Sequence, residues 1–121
     1  MPKQALLIVD HGSTRAEAND MLKDVAAIIK GLKPELPVHF AHMELAEPSI
    51  PQGFEQCVKD GATEVVVHPY MLSPGRHATK DIPNMVAECA KNFPGVSFTV
   101  TKPLGLDKKI GQVVLERAGI A

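Results

Sequence analysis

Ala5-Leu6-Leu7-Ile8-Val9, followed at once by Asp10-His11-Gly12-Ser13, decides how this chain of 121 residues folds. A strand with one wet face alternates apolar and polar residues, whereas residues 5–9 are aliphatic throughout. They predict a strand covered by helices on both sides, as in a parallel sheet. The polar group at 10–13 then marks the point where that strand leaves the core.

The neighbouring segments extend this pattern. Met21, Leu22, Val25, Ile28, Ile29 and Leu32 recur at spacings of three and four and predict a helix over 16–32, capped by Ser13 or Thr14 and stopped by Lys33-Pro34. Residues 38–45 read as a second strand, and Glu47-Pro48-Ser49 starts a helix that ends near Gly61. Val65-Val66-Val67 is a third buried strand, running into His68-Pro69. The segment 70–80 reads as a functional loop before a helix over 81–92, and a strand over 96–100 precedes a last helix over 108–118. The order βαβαβαβα implies right-handed crossovers and one α/β domain over 1–121: a four-stranded parallel sheet with helices on both faces, of flavodoxin-like type.

Composition narrows the function. A formal net charge of -1, with lysine and arginine spread along the chain, offers no basic block for a nucleic acid or an anionic membrane surface. No apolar stretch approaches the roughly 20 residues that span a bilayer, and the N-terminus has no secretory pattern, so a cytoplasmic location is expected. Cys57 and Cys89 form neither a CxxC nor a Cys/His cluster and read as reduced thiols on helices.

Ligands of open parallel sheets bind beyond the carboxyl ends of the strands. Asp10 and His11 end the first strand, Glu44 the second and His68 the third, while His77 stands in the loop beyond. Gly12 permits close approach of a ligand or of backbone, and Ser13 and Thr14 place hydroxyls at a helix start, where anions bind. Arg76, in Ser73-Pro74-Gly75-Arg76-His77, offers a planar fork suited to carboxylates. Glu44 needs a partner, and a lysine or arginine would serve. His39 and His42 are three positions apart and face opposite sides of a regular strand, so at least one of them is structural.

The stretches Leu6-Leu7-Ile8-Val9-Asp10-His11-Gly12-Ser13, Glu44-Leu45-Ala46-Glu47-Pro48-Ser49 and Pro69-Tyr70-Met71-Leu72-Ser73-Pro74-Gly75-Arg76-His77, with Asp81-Ile82-Pro83 and Pro103-Leu104-Gly105, together resemble the class II chelatases of cobalamin and sirohaem synthesis. The resemblance covers essentially the whole chain, which has the length of that family's short single-domain form. It implies insertion of Co2+ into sirohydrochlorin, a carboxylate-rich tetrapyrrole, with Fe2+ or Ni2+ as alternatives and no cofactor beyond the metal substrate. It assigns metal handling to His11 and His77, places the family's acidic residue at Glu44, and implies a homodimer that stands in for longer relatives built from two such halves. Arg76, Ser13 and Thr14 would meet the substrate's carboxylates. Two positions depart from the family pattern: Asp10, where a small or apolar residue is expected, and Met71, where an aromatic is common. Other α/β classes fit less well. A receiver-like domain needs an aspartate where His68 ends the third strand, and a histidine phosphatase needs an arginine where Asp10 precedes His11. A non-catalytic metal or tetrapyrrole carrier is the remaining alternative.

Overall fold

The computed structural model describes residues 2–120, apart from the side chains of residues 77 and 78. Strands β1 (Gln4–Asp10), β2 (Val38–His42), β3 (Glu64–Pro69) and β4 (Ser97–Val100) form one parallel sheet in the order β2-β1-β3-β4. This is the doubly wound order expected from the alternation of elements. The central strand β1 pairs on both edges, with Ile8 opposite Phe40 on one side and His68 on the other.

The pleat sorts β1 into two cores. Ala5, Leu7 and Val9 pack with Phe54, Ile82 and Val86 beneath helices α2 (Ile50–Lys59) and α3 (Ile82–Ala90), while Ile8 packs with Leu22, Ala26 and Val38 beneath helix α1 (Ala16–Leu32). Gly53 lets α2 lie close: a Cβ there would stand 2.7 Å from Leu7 Cδ1 and 3.0 Å from Ala41 Cβ. Helix α2 starts with a reciprocal cap, Ser49 Oγ accepting from the Gln52 N–H and Gln52 Oε1 accepting from the Ser49 N–H. Cys57 and Cys89 are free and buried on α2 and α3, and burial pushes the Cys57 thiol up to about 12.

Three expectations need correction. Strand β2 stops at His42 rather than Leu45: the His42 N–H donates to Pro48 O, and Leu45 turns the chain away with φ 70. Residues 77–80 are not loop, because a π-helical turn (His77–Asp81) runs directly into α3. Neither Ser13 nor Thr14 caps α1. Its N-cap is Arg15, with no side-chain bond, because Ser13 Oγ accepts from the nearer Arg15 N–H at 3.0 Å. The expected helices on both faces are α1 on one side and α2 with α3 on the other, while helix α4 (Lys108–Ala118) buries none of its residues. Among the described residues no helix is long and apolar enough to cross a membrane.

Candidate functional site

In a sheet ordered β2-β1-β3-β4 the chain leaves β1 and β3 toward opposite faces, and a crevice opens between their carboxyl ends. The segment after β1 carries His11. The segment after β3 carries Arg76 and leads into the π-helical turn, whose first residue is His77. The His77 side chain lies outside the described residues. Glu44 reaches the same edge from two residues beyond β2, held there by the Met43 N–H donating to Asp10 O at 2.8 Å and the Glu44 N–H donating to His11 O at 3.0 Å.

These backbone bonds set the side chains. His11 Nε2 stands 2.8 Å from Glu44 Oε1, with side-chain exposures of 43% and 54%, so the pair is preformed yet open to a ligand. The carboxylate thus has a histidine partner rather than the lysine or arginine considered from sequence. Imidazole and carboxylate are both good donors for first-row divalent ions, and each can take up a proton. Among the described residues no group of three or more His, Cys, Asp or Glu could hold a metal ion. An opening of about 350 Å3 lies beside the pair, lined by Met43, Glu44, Asp81, Asn84 and Met85. A larger one of about 640 Å3 lies between the β3 and β4 loops, where Pro74, Pro83, Val100 and Leu104 give apolar walls and Lys102 a charge.

The other histidines are tied into the framework. His42 is 1% exposed, and its Nδ1–H donates to Asp10 Oδ1 at 2.6 Å. Asp10 therefore does not charge His11, its neighbour in sequence, but clamps the end of β2 to the end of β1. Sequence reasoning missed this couple, although Asp10 and His42 are both last residues of adjacent strands. Asp10→Asn should cost about 1–3 kcal/mol of stability, because His42 then lacks an anionic acceptor inside the core. Urea unfolding measures this, and an unchanged midpoint would refute the clamp. His39 is paired with Asp60 at the end of α2, 2.5 Å away.

His68 Nδ1 lies 2.8 Å from Thr101 Oγ1, and burial pushes the imidazole pKa below its ordinary 6.5. Folded His68 stays neutral where the unfolded chain already binds a proton, so its contribution is complete above about pH 6.5 and is lost as pH falls toward the lower folded value. Replacing it, His68→Gln, should flatten the stability profile across that window. Parallel profiles for the two proteins would show that His68 titrates normally.

Ser13 is engaged on both sides: its N–H donates to Asn19 Oδ1 at 3.0 Å, its carbonyl accepts from Asn19 Nδ2 at 2.7 Å, and its hydroxyl accepts from Arg15. As an acceptor the hydroxyl keeps its own proton for a ligand. Thr14 and Arg76 are exposed, Thr14 beside the start of α1 and Arg76 just before the π-helical turn.

The CbiX family model matches residues 5–121. A sirohydrochlorin cobaltochelatase from Methanococcus maripaludis is 31% identical over 95% of this chain and 97% of its own length. The chain belongs to the CbiX family. A chloroplastic sirohydrochlorin ferrochelatase from Arabidopsis thaliana is 47% identical over 93% of this chain. Among solved CbiX relatives, the sirohydrochlorin chelatase SirB of Bacillus subtilis subspecies spizizenii, in complex with cobalt, superposes with a TM-score of 0.81 at 38% identity over 97% of this chain. This chain spans 50% of the length of the Arabidopsis protein and 50% of that of SirB.

Proposed function

We propose that this protein is a chelatase that inserts a divalent metal into sirohydrochlorin. The observation that carries the reading is the His11–Glu44 pair, 2.8 Å apart and solvent-accessible at the crevice between β1 and β3, beside the turn that begins with His77. Insertion exchanges two pyrrole N–H protons for one M2+ ion and forms no other bond. The protein must therefore hold a partly dehydrated ion, accept protons and orient the ring. It needs no ATP, no covalent nucleophile and no cofactor beyond the metal substrate.

His11, with His77, takes the metal, since neutral imidazoles bind such ions moderately and release them. Glu44 adds an oxygen donor or receives a pyrrole proton as a general base. Arg76, the Ser13 hydroxyl and Thr14 meet the peripheral carboxylates of the substrate. We assign Co2+ as the metal, on the 31% identity to the Methanococcus cobaltochelatase, which extends over 97% of that protein. Iron is the second reading, favoured by the 47% identity to the Arabidopsis ferrochelatase, and nickel fits the same donors. The working unit is a cytoplasmic homodimer, the second copy standing where the longer relatives continue.

The test is anaerobic absorbance spectroscopy of sirohydrochlorin with Co2+, Fe2+ or Ni2+ in the presence and absence of the protein. Acceleration over the spontaneous reaction is expected, and its size ranks the metals. Rates equal to the blank for every metal would leave the carrier reading instead.

A further inference from the structure

The His11–Glu44 contact has no core of its own to hold it. Both side chains are about half-exposed, and both stand just beyond the paired residues of β1 and β2. Their 2.8 Å separation therefore depends on how the two strand ends are set against each other. Two backbone bonds, from the Met43 N–H to Asp10 O and from the Glu44 N–H to His11 O, fix the spacing of these ends. Rotation about the line through them is left to whatever lies behind.

Behind them lies the last rung of the ladder, Asp10 opposite His42. Among the described residues His42 is the one buried polar side chain. The Phe40 ring meets its imidazole edge-on, with centroids 5.9 Å apart and planes at 69°, and the backbone at Gly12 lies against it, since a Cβ there would stand 3.2 Å from His42 Cβ. The imidazole is confined, and its Nδ1–H points to Asp10 Oδ1, 2.6 Å away. A buried carboxylate–imidazole couple of this kind seldom adds more stability than an apolar pair of the same volume. What it adds is direction, because a hydrogen bond holds an angle as well as a distance, whereas an apolar contact slides.

We propose that Asp10 and His42 are positioning residues for metal insertion: their hydrogen bond fixes the angle between the ends of β1 and β2 and so sets the His11 imidazole against the Glu44 carboxylate. Asp10 directly precedes His11 and His42 stands two residues before Glu44, so a rotation of either strand end passes straight to the pair. The inference rests on the chelatase reading of that pair and goes beyond it, since it gives Asp10 and His42 neither a bond to the ion nor a proton to carry.

Two variants separate orientation from stability. Asp10→Asn leaves an oxygen where Oδ1 stood, so the bond from His42 keeps its direction while losing its charge: the protein should unfold at lower urea yet keep most of the wild-type insertion rate. Asp10→Leu with His42→Phe removes both polar partners together and refills their volume, so the urea midpoint should stay near that of the wild type. Its insertion rate at saturating Co2+ and sirohydrochlorin should fall by roughly 10- to 100-fold, the cost of reacting groups misplaced by up to about 1 Å. Rates are taken without urea and expressed per folded molecule, the folded fraction being read by far-ultraviolet dichroism. Should the double variant not fold, Asp10→Ala beside Asp10→Asn makes the same comparison, the alanine protein being the slower per folded molecule. A couple that served the fold alone would leave every variant at the wild-type rate once folded. That result, or an Asp10→Asn protein as slow as the double variant or the alanine variant, would overturn the positioning and leave the chelatase reading standing, whereas a wild type no faster than the blank would overturn both.

Discussion

On the proposed chelatase reading, His11→Ala is expected to slow metal insertion by about 10²- to 10⁴-fold, the range that loss of one positioned acid–base group produces, while leaving the fold intact. The side chain is 43% exposed and stands on a segment outside the strands, so its removal opens no cavity in either core. What is lost is a donor held 2.8 Å from Glu44. Varying the metal concentration separates the two tasks assigned to the pair. If His11 only captures the ion, saturating metal restores the rate; if it also takes a pyrrole proton, the deficit persists at saturation. Glu44→Gln keeps the shape and removes the charge, so a loss as large as that of His11→Ala would mean that the carboxylate itself ligates or accepts a proton. Initial rates followed by absorbance under anaerobic conditions check all three. Wild-type rates for His11→Ala at low metal would remove this residue from the reaction.

The fold was legible wherever one physical signal acted alone. The aliphatic run at 5–9 could not sit at a surface, and it lies in one of the two inner strands of the sheet. The stripe on α1 was legible as a helix but too broad as a buried face: Leu22 and Ala26 are buried, while Met21, Ile28 and Leu32 remain exposed. The end of β2 was not legible, because Met43, Leu45 and Ala46 continue a strand-like pattern while the hydrogen bond from His42 to Pro48 ends the strand's regular course. Such long-range backbone bonds leave no periodicity. For the same reason the π-helical turn was read as loop, since Pro74 and Gly75 announce a turn and nothing in 77–81 shows an apolar repeat. Of the candidate site, His11 and Glu44 could be placed at one edge from strand order, but their direct pairing required the Glu44 N–H to His11 O bond.

Gly12→Ala should be the most damaging single methyl group in the chain. Its Cβ would lie 1.8 Å from Glu44 O and 3.2 Å from His42 Cβ, at a φ of +96 that L side chains rarely adopt. Neither the new Cβ nor the carbonyl it meets can move by changing a rotamer, because both are fixed to backbone. The segments after β1 and β2 must part, which strains or breaks the 3.0 Å bond from the Glu44 N–H to His11 O. Backbone strain and overpacking together put the cost at about 3–5 kcal/mol. For a domain of this size that lowers Tm by roughly 10–20 °C. Gly31→Ala is the control, since nothing lies within 4 Å of its added Cβ and it sits inside α1, where alanine gains up to about 1 kcal/mol over glycine. Thermal unfolding of both variants, read beside insertion rates, tests the geometry: a Gly12→Ala protein with wild-type Tm and rate would mean that the two strand ends do not meet as described. If instead Tm falls and the molecules still folded at low temperature insert metal slowly, the close approach at Gly12 is also what holds His11 and Glu44 at working distance.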